Sequence, residues 1–254
     1  MSKAIIMDMD GTLVNTWKPL KGSIELIDYF NKNSIPFFIV TNRVTKTTGQ
    51  IEVKLRNAGF EITASRIINP LIALNQYIRD NNIGTYFFVG SEYQKSQISY
   101  GKNTEESPEY VILCDFENAN CSYYLLNKIF RFIKNGSRII TTSYSDYYAV
   151  ENDYNLDTGS FVKMFELLGN EKAVIIGKPS TLILQMAVAE LKADPSGIML
   201  IGDDVFSDIE GGKKIGLKTM LVKTGIYQEG DEEKHKPDFT VSDLTEAIGI
   251  IDAQ

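Results

Sequence analysis

Ala4-Ile5-Ile6-Met7-Asp8-Met9-Asp10-Gly11-Thr12 decides the reading of this chain. An apolar run leads into two carboxylates two positions apart, and a glycine follows. Residues 4–9 read as a buried strand. On a strand, residues two apart face the same side. Past the strand end, at the Gly turn, the carboxyls of Asp8 and Asp10 can still converge while Met9 points into the core. Asp-Gly is also a common turn pair, and this stretch alone leaves that alternative open. The apolar run favours a turn at a sheet edge over a hairpin turn.

Three more polar clusters each follow a strand-like run. Thr41-Asn42 follows Ile35-Pro36-Phe37-Phe38-Ile39-Val40, and Gly177-Lys178-Pro179 follows Ala173-Val174-Ile175-Ile176. Gly202-Asp203-Asp204, with Asp208, follows Gly197-Ile198-Met199-Leu200-Ile201. Strand ends in an open α/β sheet point into one crevice, so residues far apart in sequence can meet there. The types that would meet are carboxylates, a hydroxyl and an amine, a set suited to metal-assisted attack on a phosphate ester.

Between the clusters, helix and strand patterns alternate. Leu20, Ile24, Ile27 and Phe30 recur at helical spacing over 20–32. Residues 36–41 read as a strand and 46–58 as a helix ended by Gly59. Residues 67–69 read as a short strand, and 70–79 as a helix with Pro70 in its first turn. This alternation predicts a parallel sheet with right-handed crossovers. A second α/β set follows: strands at 85–90, 110–115 and 138–143, a helix at 121–134, and a loop at 100–108. The buried-strand pattern returns from 173. The expected organisation is a discontinuous core at 1–79 and 173–254 with an inserted domain at 80–172.

Composition narrows the class. The 254 residues are 43% hydrophobic and 23% charged, an ordinary globular balance. The formal charge is −7 with no basic run, which argues against a nucleic-acid partner. No stretch reaches the ~18 apolar residues of a membrane helix, and no signal peptide is visible. Cys114 and Cys121 show no metal-ligand spacing. A disulfide between them is not excluded, but the pattern fits a reducing, cytoplasmic setting. The only histidine, His235, lies in a charged loop, so acid–base work falls to carboxyls.

A carboxylate can attack phosphorus, and a neighbouring carboxyl can protonate the leaving oxygen. Asp203, Asp204 and Asp208 add acids, although acids here could also serve as helix caps. Two like charges ~4 Å apart repel by about 4 kcal/mol at an effective dielectric of 20. A divalent cation offsets such repulsion, and all-oxygen ligands favour Mg²⁺ between Asp8 and Asp203. Lys178, held between Gly177 and Pro179, would balance charge on the nucleophile and on the phosphoryl oxygens. The Thr41 hydroxyl and the amides after it would hold phosphate oxygens; a strand exit and helix cap is the other reading.

The ordered set resembles the haloacid dehalogenase superfamily of phosphohydrolases. Asp8-Met9-Asp10-Gly11-Thr12 matches its nucleophile signature, and Thr41, Lys178 and Gly202-Asp203 with Asp208 match its other motifs in order. Val89-Gly90-Ser91-Glu92, Asp157-Thr158-Gly159-Ser160, Gly177-Lys178-Pro179-Ser180 and Leu221-Val222-Lys223-Thr224-Gly225 resemble its NagD-like, p-nitrophenyl phosphatase branch. The resemblance implies a Rossmann-like three-layer α/β/α core with an inserted α/β cap of the C2 type. It implies Asp8 as nucleophile and Asp10 as acid and then base. Mg²⁺ would lie on Asp8, Asp203 and the main-chain carbonyl of Asp10. Thr41, Asn42, Arg43 and Lys178 would face phosphate, with Asp208 and Asp204 supporting.

The implied substrates are small phosphate monoesters: sugar, glycerol, nucleotide or p-nitrophenyl phosphates. A homodimer through the cap is also implied. Three departures stand out. Relatives often carry Asn where Arg43 stands and Arg where Asp204 stands. The cap segment that often reads Thr-Asn-Pro-Asp is here Thr142-Ser143-Tyr144-Ser145, followed by Asp146. A phosphotransferase or mutase using the same phospho-aspartate is the nearest alternative. A non-enzymatic phosphoacceptor is a further one, disfavoured by the presence of Asp10.

Overall fold

The computed structural model describes residues 4–116, 121–150 and 153–253, without the side chains of 148–150. The chain divides into two units: Met1–Asn69 with Lys178–Gln254, and Pro70–Gly177.

The first unit opens with β1 (Ala4–Met7), buried at every position. A small hairpin follows, β2 (Val14–Asn15) and β3 (Lys18–Pro19). α1 (Ser23–Lys32) buries Leu26, Ile27 and Phe30, spaced as a helix requires. It starts at Ser23 rather than Leu20, with Gly22 as the N-cap at φ 82°. β4 (Phe37–Val40) leads to α2 (Thr48–Asn57), which a capping box between Thr47 and Gln50 starts. β5 (Ile67–Ile68) closes this part.

The inserted unit begins with α3 (Pro70–Asp80) and β6 (Thr85–Val89). α4 (Glu92–Ser96), β7 (Lys102–Asn103) and β8 (Tyr110–Leu113) follow. Then come α5 (Tyr123–Lys134), β9 (Arg138–Thr141), and the antiparallel hairpin β10 (Tyr147–Val150) and β11 (Asp153–Leu156). α6 (Thr158–Gly169) and β12 (Val174–Ile175) end it. Its sheet runs β12-β9-β8-β6-β7, every pair parallel. Phe87, Val111, Leu113, Ile129, Val162 and Phe165 fill the core between this sheet and α5 and α6. Cys114 is buried and Cys121 exposed, both as free thiols, and burial pushes Cys114 up to about 12.

The chain re-enters the first unit with α7 (Leu182–Leu191) and β13 (Ile198–Gly202). A π-type helical turn over Val205–Ile209 runs into α8 (Glu210–Lys214). β14 (Lys218–Val222), α9 (Asp231–His235), β15 (Phe239–Val241) and α10 (Ala247–Asp252) complete the described chain. The six-stranded sheet has the order β15-β14-β13-β1-β4-β5 and is parallel throughout. Strand order therefore reverses at β1, between β13 and β4. In sheets of this kind the crevice beyond the carboxyl ends at such a reversal is where ligands bind. Asp8, Thr41 and Asp203 directly follow the ends of β1, β4 and β13. Among the described residues no helix is long and apolar enough to cross a membrane.

Two segments fall on the other side of the division from their sequence reading. Residues 70–79 and 173–177 were expected in the core, but α3 and β12 belong to the inserted unit. β12 pairs with β9, Val174 opposite Ile140 and Ile175 opposite Thr141. A short apolar run fits the edge of either sheet, and pairing partners, not composition, decide between them. Similarly, 100–108, read wholly as loop, supplies β7 as an edge strand.

Glu166 on α6 is a buried carboxylate of the inserted unit. Burial pushes it up. The Tyr144 hydroxyl at 2.7 Å, the Ala173 N–H at 2.8 Å and the exposed Lys172 outweigh burial and hold it below its ordinary value. A depressed folded value gives stability that is complete above the unfolded value and is lost as pH falls through the folded one. Glu166→Gln is therefore expected to cost about 1–3 kcal/mol at neutral pH, since it strips a charge from buried donors. The gap to the unsubstituted chain should narrow as pH falls through the depressed value that Glu166 has in the folded chain. Urea titrations followed by far-ultraviolet circular dichroism in neutral and acid buffer measure it. A gap of the same size in acid would contradict this account.

Candidate active site

Four carboxylates and one ammonium meet beyond the carboxyl ends of β1, β4 and β13. Asp8 follows β1 and is buried. Lys178 is buried beside it, and its Nζ donates to the Asp8 carboxylate and, at 2.7 Å, to Oδ1 of Asp208. Asp208 is fully buried; its second oxygen accepts the Asp204 N–H at 3.3 Å. Asp203 lies across from them. Its Oδ1 accepts the Thr12 hydroxyl at 2.7 Å and its Oδ2 accepts the Ile226 N–H at 2.9 Å. Asp10 stands at the rim, exposed, facing Arg43. An open crevice of about 410 Å³ borders these groups and also Thr41, Asn42, Asp204 and Ser207.

Packing three acids around one ammonium is costly, and their pKa directions record it. Burial, together with Asp208 and Asp203, pushes the Asp8 carboxyl well above its ordinary value, further than Lys178 pulls it down. Burial pushes Asp208 up to about 6 against the same ammonium. Asp203 is also raised, mainly by burial, despite its two donors. Burial works against the Lys178 charge, but Asp208 and Asp8 together outweigh it and hold the amine firmly protonated. The site is thus short of positive charge. Oxygens of Asp8, Asp203 and Asp208 lie within 4.8 Å of one another, close enough for one cation to touch all three. Hard carboxylate donors suit a hard divalent ion. Lys178 engages one oxygen of Asp8 and one of Asp208, and the Asp204 N–H takes the second oxygen of Asp208.

Glycines make this convergence possible. A Cβ at Gly11 or at Gly225 would overlap the Asp203 carboxylate, and one at Gly202 would overlap that of Asp208. Gly225 also takes φ 56°, a conformation that side chains disfavour. The Thr224 hydroxyl ties this loop to the carbonyl of Gly11 at 2.7 Å.

The remaining expected residues each have a definite place. The Thr41 hydroxyl lies 3.4 Å from Oδ2 of Asp10 and accepts the Arg43 N–H at 3.1 Å. Both ends of the Asn42 amide are taken up by the main chain of Lys178, its Oδ1 by the N–H at 2.8 Å and its Nδ2 by the carbonyl at 2.9 Å. Asn42 therefore positions the lysine. Helix capping, weighed for the acids of this segment, falls to Asp204, which accepts the N–H groups of Phe206 and Ser207. Asp208 instead serves Lys178. His235 pairs with Glu210 and does not border the crevice. Lys178 was expected at the end of a core strand; it follows β12 of the inserted sheet, and its fixed position comes from Asn42.

Sequence reasoning gave no role to Ile226, Gly225, Trp17 or the Thr12 side chain. Thr12 ends the motif that begins at Asp8, and Gly225 ends the one that begins at Leu221. A backbone N–H such as that of Ile226 leaves no trace in residue type.

The chain is similar over its whole length to known proteins. The family described as haloacid dehalogenase-like hydrolase matches residues 5–99, and a related HAD-hydrolase-like family matches residues 175–247. The acid sugar phosphatase of Staphylococcus haemolyticus is 27% identical over 98% of this chain and 97% of its own. Among solved structures, a p-nitrophenyl phosphatase from Archaeoglobus fulgidus superposes with a TM-score of 0.88 at 23% identity, covering 100% of this chain and 99% of its own. NagD from Escherichia coli K-12 gives 0.87 at 22% identity, covering 96% and 97%. At those identities the two structures establish the fold, core sheet and inserted C2-type cap alike.

The close approach at Gly225 yields a test. Gly225→Ala should displace the Asp203 carboxylate and weaken divalent-cation binding about 10-fold or more. Isothermal titration with MgCl₂ measures this, and an unchanged affinity would show that Asp203 does not depend on that space.

Proposed function

Because the chain belongs to the haloacid dehalogenase superfamily as a phosphatase of the NagD-like, p-nitrophenyl phosphatase-like class, we propose that it hydrolyses small phosphate monoesters through a phospho-aspartate at Asp8. The observation that carries this reading is the buried Asp8–Lys178–Asp208 array lining the crevice, with Asp203 alongside. Asp8 has an oxygen close to a fixed ammonium and close to a site for a divalent ion. That is what an anionic nucleophile needs when it attacks an anionic ester.

Asp8 attacks phosphorus in line, and the bond from phosphorus to the ester oxygen breaks. The Asp10 carboxyl gives its proton to the departing alcohol. A water then attacks the phosphorus of the aspartyl-phosphate while the Asp10 carboxylate takes the water's proton. The acyl–phosphate bond breaks, releasing inorganic phosphate and restoring Asp8. Lys178 neutralises Asp8 and the phosphoryl oxygens through both steps, and Asp208 keeps the amine aimed. Thr41 and the N–H groups after it provide donors to phosphate.

Asp8, Asp203 and the main-chain carbonyl of Asp10 would hold Mg²⁺, whose charge offsets the clustered acids and the transferring phosphoryl group. Substrates are small phosphorylated metabolites, such as sugar phosphates, glycerol phosphate or nucleotides, and p-nitrophenyl phosphate serves as a reporter. A homodimer through the inserted unit belongs to the same reading. Exposed Tyr123, Tyr124 and Leu167 supply apolar surface on that unit. A single monomeric species in sedimentation velocity would rule the dimer out.

Asp8→Asn is expected to abolish Mg²⁺-dependent phosphate release from p-nitrophenyl phosphate, a loss of at least about 10³-fold. EDTA should silence the unsubstituted enzyme, and added Mg²⁺ should restore it. Undiminished turnover by Asp8→Asn would refute the nucleophile, and turnover indifferent to EDTA would refute the metal.

A further inference from the structure

The guanidinium of Arg43 is committed to Asp10. Nη2 donates to Oδ1 of Asp10 at 2.6 Å and Nε donates to Oδ2 at 3.3 Å. Two donors of one planar group on two oxygens of one carboxylate fix the carboxyl plane, which a lysine could not do. The Thr41 hydroxyl adds a third contact to Oδ2, at 3.4 Å.

The guanidinium is itself held from behind. Its carbon sits 4.6 Å from the ring centroid of Trp17, a cation–π stack. Trp17 is the only tryptophan of the chain. It lies in the turn between β2 and β3, where Thr16 takes φ 48° and Trp17 takes φ 68°. Two consecutive left-handed residues suit Asn-Gly; a β-branched threonine and a bulky indole are strained there. Strain of this kind persists where the surroundings over-determine it, and it tends to mark functional positions. The hairpin is tied to the Asp10 loop by the Gly11 N–H on the Val14 carbonyl at 2.8 Å, and Trp17 packs against the core.

We propose that Trp17 and Arg43 form a clamp that fixes the carboxyl of Asp10 for proton transfer, so that Arg43 is a positioning residue rather than a phosphate ligand. The inference rests on the phosphatase reading above, with Asp10 as the group that protonates the departing alcohol. Each carboxylate oxygen has two lone pairs, so the clamp still leaves one free for the proton. Misplacing a catalytic group by about 1 Å can cost about 10²-fold in rate. Lending rigidity to an exposed aspartate at the rim is therefore a sizeable catalytic effect. The requirement is greatest for substrates whose leaving alcohol is a poor one.

The test compares kcat/KM, which reports the step in which the leaving group departs, for two esters. Arg43→Gln should lower kcat/KM about 10- to 100-fold for glycerol phosphate, through kcat, with KM changed by less than about threefold. For p-nitrophenyl phosphate, whose phenolate leaves without a proton, the loss should stay below about threefold. Arg43→Lys should not restore glycerol phosphate turnover, because it lacks the fork. Trp17→Leu should give the same pattern at smaller amplitude, and Trp17→Phe should retain activity. The emission of Trp17 should change in Arg43→Gln.

An equal loss for both esters through KM would make Arg43 a phosphate ligand and overturn the clamp. No loss for either ester would also overturn it, leaving a surface ion pair. Asp10→Asn is the reference. If it discriminates between the esters and Arg43→Gln does not, only the clamp fails. If Asp10→Asn does not discriminate either, the acid role of Asp10 fails and the clamp with it.

Discussion

A buried ammonium between two buried carboxylates governs this molecule. Taking Lys178, Asp8 and Asp208 out of water costs several kcal/mol for each charge, and mutual attraction repays this only in a tight, well-bonded geometry. The geometry is tight here because Nζ of Lys178 donates to both acids at once. Deleting one member would strand a buried charge, typically at about 3–5 kcal/mol. The array is nonetheless acid-heavy once Asp203 is counted, and the raised carboxyls of Asp8, Asp203 and Asp208 express that imbalance. The excess of negative charge makes the pocket receptive to a cation, and it ties the stability of the array to its chemistry.

Most of the surrounding structure serves to hold those charges. Parallel strands deliver Asp8 and Asp203 to one end of the sheet, on either side of the point where strand order reverses. Asn42 grips the main chain of Lys178, which no core strand positions. Glycines at 11, 202 and 225 vacate the volume that the carboxylates occupy. Thr12 and the Ile226 N–H orient Asp203 by donating to its two oxygens. The outer groups follow a second logic: Asp10 is exposed, and its restraint comes from Arg43 and Trp17 instead of from burial.

The parts legible in sequence were those written in local patterns. The apolar runs at 4–7, 37–40 and 198–202 became buried parallel strands, and helical spacing located α1, α2 and α5 within a few residues. The four polar clusters were legible because each stands directly after an apolar run. Less was legible where a segment had two equally good partners. β12 is short and half-buried, so nothing in Val174-Ile175 says which sheet it joins. The hairpin β10–β11 is not legible in sequence because an exposed ribbon, with every residue of β11 exposed, does not show the periodicity of a buried strand. In the hairpin, Tyr147 and Tyr154 meet edge-to-face at 5.2 Å, and the side chain of Tyr148 lies outside the described residues; Tyr144, just before it, bonds Glu166.

Sequence by itself determined the alternation of strands and helices, the two α/β sets, and the acids and amine available to the site. Those are properties of spacing and residue type, which act over a few neighbouring positions. Tertiary structure alone decided the partners. It set Asp204 as the helix cap and Asp208 on the lysine, although both are aspartates four residues apart. It turned Asn42 to a backbone and Arg43 to Asp10. Hydrogen bonds and ion pairs between residues 30 to 191 positions apart depend on where the sheet brings the chain together, and no local pattern carries that information.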